Sequence, residues 1–186
     1  SDTTNVVSLA TSYTDTAGNT GAVATSANYA VDTTTPSATI SLSDSSLIAG
    51  ETSTVTISFT EAVSNFSNAD VTVENGTLST LTTSDSVTWT AVFTPTASIS
   101  DTTNVVSLAT SYTDTAGNTG AAATSANYAV DTTTPSATVT LSDSSLIAGE
   151  TSTVTISFTE AVSNFSNADV TVENGTLSTL TTSDSV

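Results

Sequence analysis

Residues 100–186 repeat residues 1–87 without a gap, and only three positions differ: Val23 against Ala122, Ile40 against Val139 and Ser41 against Thr140. The period is 99 residues. Solenoid units are shorter, about 20–50 residues, whereas about 100 residues is the size of a complete small β-sandwich. A chain of 186 residues is therefore a tandem array of near-identical domains, sampled for just under two periods. The joint is marked by Asn28-Tyr-Ala-Val-Asp-Thr-Thr-Thr-Pro36, copied at Asn127 to Pro135. Proline biases the residue before it toward extended geometry and stiffens the connection. One whole domain is expected over 32–130. Residues 1–31 are then the C-terminal strands of a preceding copy, and 131–186 the N-terminal part of a following one. A start at Ser1 rather than Met fits an excerpt of a longer protein.

Inside the repeat, apolar and polar residues alternate with period two, the mark of half-buried strands. Val55, Ile57 and Phe59 alternate with Thr54, Thr56, Ser58 and Thr60, and Val87, Trp89, Ala91 and Phe93 alternate with Thr88 and Thr90. Ala126, Tyr128 and Val130 continue the pattern, and Ile40-Ser-Leu42, Val71-Thr-Val73 and Val106-Ser-Leu108 are shorter versions. Threonine suits the outer face because it is both β-branched and polar. Turn residues separate the runs, and Asn75-Gly76 predicts a hairpin turn. Seven strands result, over roughly 36–43, 51–60, 70–74, 77–83, 87–94, 103–112 and 124–130. The fold class is all-β: an antiparallel immunoglobulin-like sandwich, its core filled by Trp89, Phe59 and Tyr112. A polar, acidic chain can also be disordered. Here hydrophobic residues make up 37% and mean hydropathy is +0.13, so there is enough apolar surface to bury.

What is missing excludes whole classes of function. Lys, Arg, His, Cys and Met are absent, against 18 Asp and Glu, for a net charge of −18. Without a basic surface, nucleic acid and anionic membranes are not partners. Without Cys or His there is no disulfide, no zinc site of those ligands and no Ser-His-Asp triad. No apolar run is long enough for a membrane-spanning helix.

The segments Asp131-Thr-Thr-Thr-Pro135, Phe59-Thr-Glu-Ala-Val63, Ala69-Asp-Val-Thr-Val73, Asn75-Gly76-Thr-Leu, Tyr112-Thr-Asp-Thr-Ala-Gly-Asn118 and Asn127-Tyr-Ala-Val-Asp131 together resemble the bacterial Ig-like repeats that extend giant calcium-dependent cell-surface adhesins. The resemblance covers the whole repeat. It implies an extender domain, export to the bacterial cell surface, a place in the stalk and bound Ca2+.

The carboxylates lead to the same ion on their own. Followed alternately up and down, the strands bring Asp32, Glu61, Asp70, Asp85 and Asp114 to one pole, and Asp44, Glu51, Glu74 and Asp101 to the other. End to end, the second pole faces the next repeat's Asp131, Glu160 and Asp169. Carboxylates that converge without a cation repel, and Ca2+ takes about six to eight oxygen ligands. The candidate metal ligands are therefore Asp32, Glu61, Asp70, Asp114, Asp131, Glu160 and Asp169. Against this stands the plainer reading that loop acids are solvated, or only shape turns, as Asp114-Thr-Ala-Gly-Asn118 could. Asn65-Phe-Ser67 and Asn75-Gly-Thr77 match the N-glycosylation pattern, but Asn75 is better explained as a turn residue.

Three functions compete. A spacer repeat in a surface fibre fits near-identical copies, because a stalk needs many copies and a ligand site needs one. An adhesion module would bind a ligand or glycan through its loops. A glycosidase could use paired carboxylates, but a 99-residue sandwich offers no deep cleft. The spacer is the reading adopted. Its partners are identical repeats end to end. Neighbouring chains, or the rest of a longer fibre, are expected to cover the exposed faces of 1–31 and 131–186.

Overall fold

From the segment Ser53–Phe59, Ser53, Val55, Ile57 and Phe59 point into the core while Thr54 faces solvent. From Thr88–Pro95, Ala91 and Phe93 point in while Thr88, Val92 and Thr94 face solvent. The period-two pattern thus becomes two adjacent strands of one sheet. The computed structural model describes residues 1–182 and divides into two units, Ser1–Thr132 and Thr133–Val186.

In the first unit, residues 1–31 form β1 (Asp2–Asn5), β2 (Ser8–Leu9), β3 (Ala24–Thr25) and β4 (Tyr29–Val31). The intact repeat continues with β5 (Ala38–Leu42), β6 (Ser46–Ile48), β7 (Ser53–Phe59), β8 (Val63–Ser64), a 3-10 turn (Asn68–Asp70), β9 (Val71–Val73), β10 (Gly76–Leu78), β11 (Thr82–Thr83) and β12 (Thr88–Pro95). It closes with β13 (Ser100–Asn104), β14 (Val106–Leu108), β15 (Thr113–Asp114), β16 (Ala123–Thr124) and β17 (Tyr128–Asp131).

One layer is the antiparallel sheet β10-β12-β7-β5, with β11 also on β12. The facing layer consists of three ladders laid along one course of chain: β13-β17-β6, β16-β14-β9 and β15-β8. β6 runs parallel to β17, with Leu47 opposite Val130. This is the immunoglobulin-like sandwich, a five-stranded sheet packed on a second layer built around β14 and β17. Between the layers lie Leu47, Ile57, Phe93, Val106, Tyr112 and Tyr128, each at most 2% exposed. Phe59, Phe66 and Tyr112 stack edge-on or tilted with centroids 4.9–5.9 Å apart. Trp89 meets Phe66 at 5.1 Å, an arrangement aromatic quadrupoles favour.

Three sequence expectations change. Asn75-Gly76 does not close a hairpin, because β9 pairs with β14 in one layer and β10 with β12 in the other. It is a corner between layers. Asn75 takes φ 51°, and its amide donates to Asp101 Oδ2 and Asn104 Oδ1. The strand expected over 103–112 is broken: β13 ends at Asn104, β14 covers Val106–Leu108, and β15 starts only at Thr113. β6 has no sequence signal, since one Leu between a Ser and an Ile sets up no readable alternation.

In the second unit β18 (Ala137–Leu141) pairs with β19 (Val154–Phe158) as β5 does with β7, and a second 3-10 turn spans Asn167–Asp169. Residues 145–147, 162–163 and 170–172 carry no strand. Their counterparts in the intact repeat are β6, β8 and β9.

Candidate metal centre

The site is built on the loop after β15. Asp114 Oδ1 accepts hydrogen bonds from the backbone N–H groups of Ala116, Gly117 and Asn118 at 2.9, 2.7 and 2.8 Å. Its Oδ2 accepts from Asn118 Nδ2 at 2.7 Å. Gly117 sits at φ +99°, a conformation glycine reaches without strain. Asp15 builds the same loop in residues 1–31, accepting from the N–H of Ala17 and Asn19 at 2.9 and 2.8 Å and from Asn19 Nδ2 at 2.7 Å. The same local sequence thus makes the same loop in both copies.

Two further contacts tie the loop to the incoming linker. Asn118 Nδ2 also donates to the carbonyl of Asp32 at 3.1 Å, and Ala121 N–H donates to the carbonyl of Pro36 at 2.9 Å. Tyr112, whose hydroxyl donates to the Ala121 carbonyl at 2.7 Å, lies so close to Gly120 that an added Cβ would sit 2.1 Å from the ring. Glu61 arrives from the turn between β7 and β8. The pairing of Val63 with Asp114 fixes that turn beside the loop.

As a result, carboxylate oxygens of Asp32, Glu61 and Asp114 all lie within 4.8 Å of one another. Asp114 is 1% exposed, and Asp32 and Glu61 are half-buried. The Asn118 amide, with the loop N–H groups, holds the Asp114 carboxyl below its ordinary value. The Thr34 hydroxyl and N–H hold Asp32 below its own, while the charge on Asp114 pushes the other way. The α-amino group of Ser1 lies 4.0 Å from Asp32 Oδ1.

The remaining candidates lie elsewhere. Asp70 is buried, but its Oδ2 accepts from Ser67 N–H at 2.8 Å and its Oδ1 from the Ser111 hydroxyl. It caps the 3-10 turn Asn68–Asp70 and is not in the cluster. Asp169, exposed, caps the matching turn through Ser166. Glu160 Oε2 accepts from the Thr133 hydroxyl at 3.2 Å. Asp131 ends β17 opposite Ser100. Asn118 was legible only as a turn residue, yet it holds both Asp114 and the Asp32 backbone.

The donor set is all oxygen, with no nitrogen or sulfur ligand, which suits a hard cation. Ca2+ bonds of about 2.3–2.6 Å put opposed ligands about 4.6–5.2 Å apart, and three oxygens within 4.8 Å fit around one such ion. Among the described residues, no helix is long and apolar enough to cross a membrane.

Fold and loops together define a small immunoglobulin-like module repeated in tandem. The chain belongs to the bacterial Ig-like domain family, whose profile matches residues 32–130 and 131–186. Domains of this family are non-enzymatic and typically extracellular or at the cell surface. No curated protein and no solved structure matches the chain.

Proposed function

We propose that this chain is a non-enzymatic extender segment of a bacterial surface adhesin or extracellular fibre, its repeats joined end to end and stiffened by Ca2+ where each linker enters a domain. The observation that carries the reading is the convergence of Asp32, Glu61 and Asp114 within 4.8 Å in a chain with no Lys, Arg or His. Asp32 belongs to the linker, while Glu61 and Asp114 belong to the body of the following domain. An ion held by all three ties the joint to the domain and removes their repulsion. Asp131 and Glu160 are the matching residues one repeat later. Calcium is scarce in the cytosol and plentiful outside, so the joint is loose before export and firm after it. Near-identity of the copies supports a spacer over a ligand-binding module.

Binding to the folded state alone adds about 2.7 kcal/mol at a hundredfold excess over Kd, which for a domain of this size raises Tm by on the order of 10 °C. The test is calorimetric melting with Ca2+ and with EDTA, for the parent chain and Glu61→Gln. The reading expects the rise in the parent and its loss in the variant. Small-angle scattering of multi-repeat chains tests the stalk, since the maximum dimension should grow linearly with repeat number in Ca2+. Equal melting with ion and chelator rejects the metal, and a dimension that stops growing rejects the stalk.

A further inference from the structure

β6 is the outermost strand of the ladder β13-β17-β6. Successive residues of a strand point their N–H and C=O groups to alternate sides. The Ser45 carbonyl accepts from Ala129 N–H at 2.8 Å, and Ser46, Leu47 and Ile48 lie opposite Ala129, Val130 and Asp131. Ser45 and Leu47 therefore serve β17, while the backbone groups of Ser46 and Ile48 point away from the sheet. Those are the groups that a further strand would use, and neighbouring residues already hold them. Asp44 Oδ1 accepts from Ser46 N–H at 2.9 Å, and Glu51 Oε2 from Ile48 N–H at 3.0 Å. The Ile48 carbonyl accepts from Glu51 N–H at 3.2 Å, across a turn in which Gly50 takes φ +86°. The second unit repeats all three bonds. Asp143 Oδ1 accepts from Ser145 N–H and Glu150 Oε2 from Ile147 N–H, each at 2.9 Å, and Glu150 N–H donates to the Ile147 carbonyl at 3.1 Å.

We propose that Asp44 and Glu51 close the β6 edge against strand addition by a second copy of the chain, and that two copies pair along this edge once it is uncapped. An open edge is a template for another strand, and Ile48 beside it is 57% exposed. The occupant is a second copy because the same edge sequence recurs at 145–147, one period after 46–48. Two tandem arrays meeting in register would pair at several points at once, which multiplies a weak contact. Misassembly between like domains is a characteristic failure of repeat proteins. The two carboxylates oppose it in two ways. They occupy both outward N–H groups of β6, and facing copies would bring the same acids together in a chain without Lys or Arg. Neither residue belongs to the cluster of Asp32, Glu61 and Asp114, so the inference is independent of the calcium reading.

The test compares three full-length chains by sedimentation equilibrium, in Ca2+ and in EDTA: the parent, Asp44→Ala with Glu51→Ala, and Asp44→Asn with Glu51→Gln. Both double variants lose the same charges, but only Asn and Gln keep an oxygen that can accept from the N–H groups. At rising concentration the alanine pair should approach twice the parent's weight-average mass, because β6 on β6 is an isologous contact that closes at a dimer. The Asn and Gln pair should follow the parent. Adding Ser46→Pro to the alanine pair removes an outward N–H and should return the mass to the parent's, since proline blocks an edge strand. Trp89, the single tryptophan, reports by its fluorescence that the intact repeat remains folded. Should the alanine pair lose that signature, Glu51→Ala alone carries the test, at an exposed position whose backbone turn is kept. Uncapped chains no heavier than the parent, an Asn and Gln pair as heavy as the alanine pair, or association that survives Ser46→Pro overturns the proposal.

Discussion

Asp114 carries two tasks on two oxygens. Oδ1 is filled by three backbone N–H groups, which shapes the loop, while Oδ2 takes one amide and keeps acceptor capacity to spare. Asp114→Asn keeps an acceptor for the loop and removes the charge. The expected outcome is an unchanged far-UV spectrum in Ca2+ together with loss of the Ca2+-dependent rise in Tm. Because the folded carboxyl lies below the ordinary 3.8, its stabilisation is present above that value and is lost as pH falls through the folded one. The parent should therefore lose Tm more steeply below pH 3.8 than Asp114→Asn does. Tyr128 runs the opposite way. Burial pushes it up to about 12, and its hydroxyl donates to the Glu74 carbonyl, a bond the tyrosinate cannot make. Its contribution is complete below the ordinary 10 and is lost as pH rises toward 12. A tyrosinate absorbance titration should show a late component that Tyr128→Phe removes.

At the scale of elements, alternation was a reliable guide wherever a strand had several apolar residues on one face. β7 and β12 were legible because Val55, Ile57, Phe59, Ala91 and Phe93 share a period. β6 was not, because a single Leu47 finds its place only when β17 lies beside it. The layer change at Asn75-Gly76 was equally hidden. A turn dipeptide states that the chain bends and leaves open which sheet it enters. What makes this bend specific is tertiary: a Cβ on Gly76 would lie 2.3 Å from the Phe93 ring and 2.7 Å from the Thr94 carbonyl. Gly76→Ala should cost about 1–3 kcal/mol by overpacking. At Gly50 a Cβ meets nothing within 4 Å and the strain lies in φ +86° alone, so Gly50→Ala should cost roughly 1–2 kcal/mol. Urea midpoints at unchanged m separate these costs from any change in the unfolded state. A Gly76→Ala midpoint equal to the parent's refutes the close-packing account.

At the scale of the whole chain, the repeat and the fold class were legible, since identity at a 99-residue spacing needs no geometry. The candidate site was only partly so. Strand counting brings Asp32, Glu61, Asp70 and Asp114 to one pole. It cannot show that Ser67 and Ser111 engage Asp70, while the pairing of Val63 with Asp114 turns Glu61 toward the linker. The net charge of −18 then raises a question the site must answer: whether calcium acts as a bound ligand or as general screening. Screening is a property of ionic strength, with a Debye length of about 8 Å at 0.15 M. Sodium chloride should raise Tm gradually in the parent and in Asp114→Asn alike, because removing one charge of eighteen changes the total repulsion little. Calcium at a concentration too low to alter ionic strength should raise Tm in the parent alone, and the rise should follow RT ln(1 + [L]/Kd) with a single Kd for the intact repeat. A calcium response shared by Asp114→Asn, or one matched by sodium at equal ionic strength, assigns the effect to the diffuse charge and leaves the three carboxylates without a bound ion.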